Sequence, residues 1–252
     1  MKLGAQLYSV RDMTSTRDDL EKTFSEMKNI GYESVQLSAI GPIDAESIKE
    51  LSEKYSLPIP CTHQSFENIT VNTKETIKAH ITYGCPVIGL GGMPVEYRES
   101  AEGIKEFLTK IKEPMKMIED AGLKFAYHNH AFEFNKVDGR LIYDMLIEDA
   151  PSLNFILDTY WVKFGGYDYL EYIKRIGSER MTNVHFKDMK SEPKGEICPC
   201  GVGVIDFKPV IALCDELGIP NALVEQDNAP ASGDSFGQMR ISHDNLRPLF
   251  VK

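Results

Sequence analysis

A chain of 252 residues with 38 Asp and Glu against 28 Lys and Arg carries a formal charge of -10, which repels a phosphate backbone, excludes nucleic acid as the expected partner and favours a neutral or cationic small molecule. With 42% hydrophobic and 26% charged residues it has the make-up of a soluble globular protein, and its length suits one domain, residues 1–252, of the size usual for an eight-stranded α/β barrel. Five scattered cysteines, Cys61, Cys85, Cys198, Cys200 and Cys214, lack the even spacing of a disulfide framework, no apolar run approaches a membrane span, and the opening MKLGAQLYSV is broken by Gln6 and Tyr8, so the expected setting is a reducing cytoplasm with no membrane partner.

Along the chain, short apolar runs alternate with amphipathic stretches eight times, the pattern of repeated βα units around a parallel sheet. The expected strands are Leu3 to Val10, Ser34 to Ser38, Ile59 to Gln64, Val87 to Leu90, Lys124 to Asn129, Asn154 to Asp158, Met181 to Phe186 and Ala222 to Glu225. The expected helices are Arg17 to Ile30, Ala45 to Tyr55, Thr73 to Tyr83, Ala101 to Ala121, Ile142 to Glu148, Tyr167 to Ile176, Phe207 to Leu217 and Asp244 to Phe250, with Gly31, Gly84, Gly122, Gly177 and Gly218 placed as C-terminal caps. Eight of each closes a (β/α)8 TIM barrel. An open nucleotide-binding sheet would need a glycine-rich turn after the first strand, and Tyr8-Ser9-Val10-Arg11 is not one.

Barrel enzymes keep their chemistry at the C-terminal ends of the strands. The fifth strand runs into KFAYHNHAFEF, where period-two alternation sends His128 and His130 to one face, with Glu133 shortly after. The sixth ends in Asp158, the seventh carries His185 and, on the same face, Lys187, and the eighth carries Glu225. A charge at the buried end of an apolar strand costs several kcal/mol unless it is paired or coordinated. Taken singly, Asp158 reads equally well as a loop cap, His185 as a core histidine, and Glu225 as an ion-pair partner of Lys187. Taken together at three successive strand ends, they point to one divalent ion held by oxygen and nitrogen donors: Mn, Co, Zn or Mg, with Mn favoured. Cys198-Pro199-Cys200 lacks the second pair of a zinc site, and Gly91, Gly92, Gly201 and Gly203 read as turn residues. Tyr8, Arg11, His63 and Trp161 also fall at strand ends, as substrate-side candidates with plain packing the alternative.

The segments GAQLYSVR (Gly4 to Arg11), YHNHAFEF (Tyr127 to Phe134), LDTYW (Leu157 to Trp161), VHFKD (Val184 to Asp188), GVGVIDF (Gly201 to Phe207) and VEQD (Val224 to Asp227) together resemble the xylose isomerase-like TIM-barrel superfamily over essentially the whole chain. That is the sugar phosphate isomerase/epimerase group, which also contains inosose dehydratases, ketose 3-epimerases and endonuclease IV. The resemblance implies a divalent metal whose ligands map onto Asp158, His185 and Glu225. Where the ketose epimerases place a first metal-binding Glu, this chain has Tyr127 next to His128; the fourth ligand is then Glu133, His128 or His130, with Glu133 preferred because a third carboxylate keeps the site hard. It also has Trp161 in place of the epimerases' substrate-side histidine after the sixth strand.

These parts suit a hydroxy-ketone substrate. A metal acidifies its α-proton, Glu225 removes it, His128 or His130 returns it or protonates a leaving oxygen, and Lys187 offsets the enediolate charge. The expected activity is a metal-dependent sugar isomerase or epimerase, with a lyase or dehydratase on a keto-sugar or keto-inositol as the alternative and a non-catalytic sugar-binding or accessory barrel as a second. Glu192, Glu196, Asp227 and Asp234 crowd the last loops, so an unphosphorylated carbohydrate is expected. Aromatic and Thr-rich helix faces leave a homo-oligomer open.

Overall fold

Runs rich in Val, Ile, Leu and Phe form eight parallel strands in the computed structural model, which describes residues 1–192 and 194–250. They are β1 (Lys2–Gln6), β2 (Val35–Gln36), β3 (Thr62–Gln64), β4 (Val87–Leu90), β5 (Lys124–His128), β6 (Asn154–Asp158), β7 (Met181–Phe186) and β8 (Asn221–Val224). Their order is β2-β1-β8-β7-β6-β5-β4-β3. A parallel bridge from Leu37 to Thr62 and the His63 N–H on Leu37 O at 2.9 Å bring the last strand back to the first, which makes a TIM barrel. Residues 251–252 of the expected domain lie outside the described residues.

Helices follow the strands and lay their apolar stripes on the barrel wall. In Arg17–Ile30, Leu20, Phe24 and Met27 recur at helical spacing and are fully buried; burying each contributes roughly 2 kcal/mol. Thr16 caps the start by accepting the Asp19 N–H, and Gly31, at φ 114°, closes the end with its N–H on Lys28 O. Gly84, Gly122 and Gly218 close their helices the same way, at positive φ.

Three expectations change. The first strand stops at Gln6 instead of running to Val10, because the Gln6 side chain accepts the Tyr8 N–H and turns the chain into a 3-10 helix, Leu7–Met13. The last helix is Ser235–Leu246, not Asp244 to Phe250: Asp234 accepts the Gly237 N–H and caps it much earlier, and residues Arg247–Phe250 form a 3-10 turn. Gly177 interrupts Tyr169–Arg180 at φ 72° instead of ending it. Short helices Phe66–Thr70 and Thr159–Phe164 and two small antiparallel ribbons were not foreseen. No described helix is long and apolar enough to cross a membrane, and the five cysteines are free and buried.

His80, buried between helix and barrel, bonds Thr62 Oγ1 at 2.8 Å and Thr76 O at 2.7 Å. Burial lowers its pKa from 6.5 to about 4, the Thr76 carbonyl working against that. As pH falls below 6.5 the unfolded chain takes this proton and the folded one does not, so stability drops through the window from 6.5 to about 4. We expect His80→Gln to flatten this acid limb by on the order of 3 kcal/mol, read by urea unfolding at several pH values.

Candidate metal centre and active site

The floor of the barrel is one apolar layer, Cys61, Val87, Ala126, Ile156 and Leu223. Strands repeat their facing every second residue, so the layer above it is His63, Gly89, His128, Asp158 and Glu225. Gly89 leaves room there, since a Cβ would come within 3.3 Å of the His63 ring and 2.3 Å of Thr62 O. His185 joins them from β7, in register with Asp158. The apolar-to-ionisable switch thus falls at one height around the ring, where the strands end.

One nitrogen or oxygen from each of His128, Asp158, His185 and Glu225 lies within 4.8 Å of all the others, and all four side chains are buried. His128 Nε2 stands 3.4 Å from Asp158 Oδ2 and 3.9 Å from Glu225 Oε2; His185 Nδ1 stands 2.8 Å from Glu225 Oε2. His128 Nε2 has no hydrogen-bond partner, and Asp158 Oδ2 has none beyond its ion pair with Lys187 Nζ, so a buried imidazole nitrogen is left facing carboxylate oxygens, an arrangement a bound cation would relieve. The far sides of these groups are tied down. His128 Nδ1 faces Gly91 O at 3.4 Å, His185 Nε2 faces Gln36 Oε1 at 2.7 Å, and Asp158 Oδ1 accepts the N–H groups of Tyr160 and Trp161. Such outer partners fix the donor atoms that a metal needs. The donor set therefore fits a divalent ion.

Lys187 Nζ sits on the carboxylates, 3.1 Å from Asp158 Oδ2, 3.2 Å from Glu225 Oε2 and 3.0 Å from Asp227 Oδ1. Burial works to lower its pKa, but Asp158, Glu225 and Asp227 outweigh it and raise the pKa, so it stays an ammonium. Burial likewise pushes Glu225 up, and Lys187 followed by His185 overcomes this to hold it well below the usual carboxylate range. Asp227 is lifted to about 6 by burial and then by Glu225, against Lys187. Burial, with the neighbouring imidazoles, keeps His128 well below its ordinary value, neutral and ready to coordinate.

The sequence-based candidates sort by place. Tyr8, His63, His128, His130, Lys187 and Glu225 line one cavity of about 250 Å³, together with Ser38, Gly91 and Asp227. A larger one, about 750 Å³, lies between helices Ala101–Asp120 and Ile142–Asp149 and holds no such cluster, so chemistry and not size locates the site. Trp161 walls the cluster, its ring 5.4 Å from that of His130 and 5.1 Å from Lys187 Nζ. Arg11 is turned to the backbone, donating to Tyr8 O and Asp227 O. Glu133, preferred as fourth ligand, stands outside the group of four. Its oxygens accept the Tyr127 O–H at 2.5 Å and the His130 N–H at 2.7 Å, which locks the turn after β5, and His128 is the member that β5 gives to the group.

Asp188 does not pair with Lys187, because successive residues point to opposite faces. Its carboxylate instead accepts four backbone N–H groups, from Met189, Gly201, Gly203 and Ile205, and fastens the loop after β7. Gly203 is required there, since a Cβ would come within 2.4 Å of Asp188 Oδ1. Cys198 pairs in a short ribbon with Asp188, and the Cys200 thiol donates to Phe186 O. Sequence reasoning did not place Gln6, Gln36 or Asn129 at the site, and it used Asp227 only as one of the acidic residues of the last loops. The available signal was a polar residue closing an apolar run: all but Asp227 are fully buried.

A family model described as xylose isomerase-like TIM barrel matches residues 24–240. An inosose dehydratase of Clostridium beijerinckii is 22% identical over 253 residues, covering 86% of this chain and 85% of that protein. A sugar phosphate isomerase/epimerase structure from Parabacteroides distasonis superposes with a TM-score of 0.84 at 20% identity, covering 99% of this chain and 96% of that one. A D-allulose 3-epimerase from Methylomonas sp. superposes at 0.73 with 14% identity, covering 99% and 98%.

Proposed function

The chain belongs to the xylose isomerase-like TIM barrel family, and within it we propose a divalent-metal-dependent isomerase or epimerase that works through an enediolate on an unphosphorylated ketose, keto-sugar or inositol derivative. One observation carries the reading: the buried His128 Nε2, without a hydrogen-bond partner, meets Asp158, His185 and Glu225 at the mouth of the barrel, with one donor atom of each within 4.8 Å of the others. These four would hold the ion, and Mn, Co and Zn all suit their mixed donors. When bound there, a divalent ion acts as a Lewis acid on a hydroxy-ketone and acidifies its α-hydrogen.

The chain's own groups supply the rest. Glu225, kept ionised by Lys187, takes the proton, and Asp227 on the other side of Lys187 gives the cavity a second carboxylate. The Lys187 ammonium offsets negative charge developing on substrate oxygen. His130, whose Nδ1 is buried and unpartnered, and Trp161, whose Nε1–H is likewise unpartnered, are left to bind hydroxyls. Among the described residues lining the cavity, the cation is Lys187, and it is already held by three carboxylates, so a neutral carbohydrate fits better than a phosphate.

A second reading, dehydration of a keto-inositol or keto-sugar, is favoured by the inosose dehydratase relative and by the histidines at the end of β5, which can donate to a leaving oxygen. The same proton is removed, but a β-oxygen then leaves. The test is metal analysis combined with solvent-deuterium incorporation into neutral ketoses, 3-keto-sugars and keto-inositols. One ion per chain and exchange that Glu225→Gln abolishes are expected; loss of water from the product selects the second reading. A metal-loaded protein that exchanges nothing, or one that takes up no metal, leaves a sugar-binding barrel.

A further inference from the structure

His63, His128 and His185 form a triangle of imidazoles, with ring centroids 4.6 Å apart for His63 and His128, 5.2 Å for His63 and His185, and 4.6 Å for His128 and His185. By distance alone these three could share an ion. Their other nitrogens tell them apart. His128 Nδ1 faces Gly91 O at 3.4 Å, and His185 has acceptor oxygens at both nitrogens, Gln36 Oε1 at Nε2 and Glu225 Oε2 at Nδ1, so each ring has an oxygen to hold its N–H on the side away from the cluster while the other nitrogen serves an ion.

His63 is wired the other way. Its Nδ1 lies 3.3 Å from Gln6 Nε2. The Gln6 amide is held in that orientation, because its Oε1 accepts the Tyr8 N–H at 3.0 Å and so caps the turn after β1. An amide NH2 only donates, so His63 Nδ1 accepts and the proton of the neutral ring sits on Nε2. That Nε2 is buried without a partner, on a ring that lines the cavity.

We propose that Gln6 is a positioning residue that fixes His63 as a neutral Nε2–H donor to a substrate oxygen and keeps this third imidazole off the metal. The inference rests on the metal reading above and divides the histidines within it: two ligate, one hydrogen-bonds. A neutral imidazole N–H directed at an oxygen that gains negative charge stabilises it without giving up the proton, and no net transfer from His63 is needed.

Nitrogen-15 NMR of histidine-labelled protein, metal-free and zinc-loaded, reads the tautomer directly. The wild type is expected to show His63 protonated at Nε2 and bare at Nδ1. Gln6→Glu keeps an acceptor for Tyr8 but puts an oxygen opposite Nδ1, so the proton should move there and the freed Nε2 lone pair should tighten Co2+ binding about tenfold or more, with a changed visible spectrum. His63→Phe should leave Co2+ affinity within about twofold of wild type, since the ring is not a ligand. A wild-type His63 protonated at Nδ1, or a tenfold weaker Co2+ affinity in His63→Phe, overturns the proposal while leaving the metal reading intact. Wild-type protein that binds no Co2+ defeats the metal reading instead, and the metal-free spectra still decide the tautomer. If Gln6→Glu fails to fold, the wild-type spectra and His63→Phe carry the test.

Discussion

Asp158→Asn is expected to lose divalent-metal binding by on the order of 100-fold or more while remaining folded, since even outer partners of a metal site are worth 10- to 100-fold. The two oxygens of Asp158 have different tasks. Oδ1 accepts the N–H groups of Tyr160 at 2.9 Å and Trp161 at 3.2 Å and starts the helix Thr159–Phe164, while Oδ2 faces the cluster, 3.1 Å from Lys187 Nζ. Asparagine keeps an oxygen for the cap and removes the charge. Asp158→Ala removes both, and should add a stability loss of about 1 kcal/mol for the missing cap. Calorimetric titration with Mn2+ and Zn2+, beside thermal unfolding in chelator, separates the two tasks. Wild-type affinity in Asp158→Asn would remove Asp158 from the ligand set and the metal reading with it.

That division bears on what the sequence could and could not convey. Asp158, His185 and Glu225 were legible because each closes an apolar run, and a barrel brings the ends of its strands to one rim whatever the loops do. The eight strands were legible for the same reason, but not all their ends: Val35–Gln36 and Thr62–Gln64 are shorter than the expected Ser34 to Ser38 and Ile59 to Gln64. Gln6 shortened the first strand and Asp234 started the last helix early, and neither event leaves a mark in hydrophobic periodicity. The fourth member of the buried group was open for a related reason. Glu133 and His128 are both near the end of β5, and only the Tyr127 O–H and His130 N–H, folded back by the turn, show that Glu133 is already occupied. Tautomers are further out of reach, because they depend on which way an amide from a distant strand is held.

Lys187→Met is expected to destabilise the metal-free protein by about 3–5 kcal/mol and the metal-loaded protein by much less. In the metal-free state Lys187 is the cation that Asp158, Glu225 and Asp227 share, and methionine would fill a similar volume with no charge. Bound metal restores positive charge to Asp158 and Glu225, and the stabilisation it confers by mass action should therefore be larger in the variant than in the wild type. Were Lys187 valued only for packing over Trp161, the deficit would be equal with and without metal. The pH dependence supplies an independent sign. Without Lys187, burial raises the pKa of Glu225 against the histidines alone and lifts Asp227 further, so the folded variant binds protons more readily than the folded wild type. Its metal-free deficit should then shrink as pH falls from about 7 to 5, because protonation removes the uncompensated charges. Urea unfolding in chelator and in saturating Mn2+ across that range measures both effects, and a deficit that stays constant with pH and metal would show that the ammonium is not what balances the carboxylates.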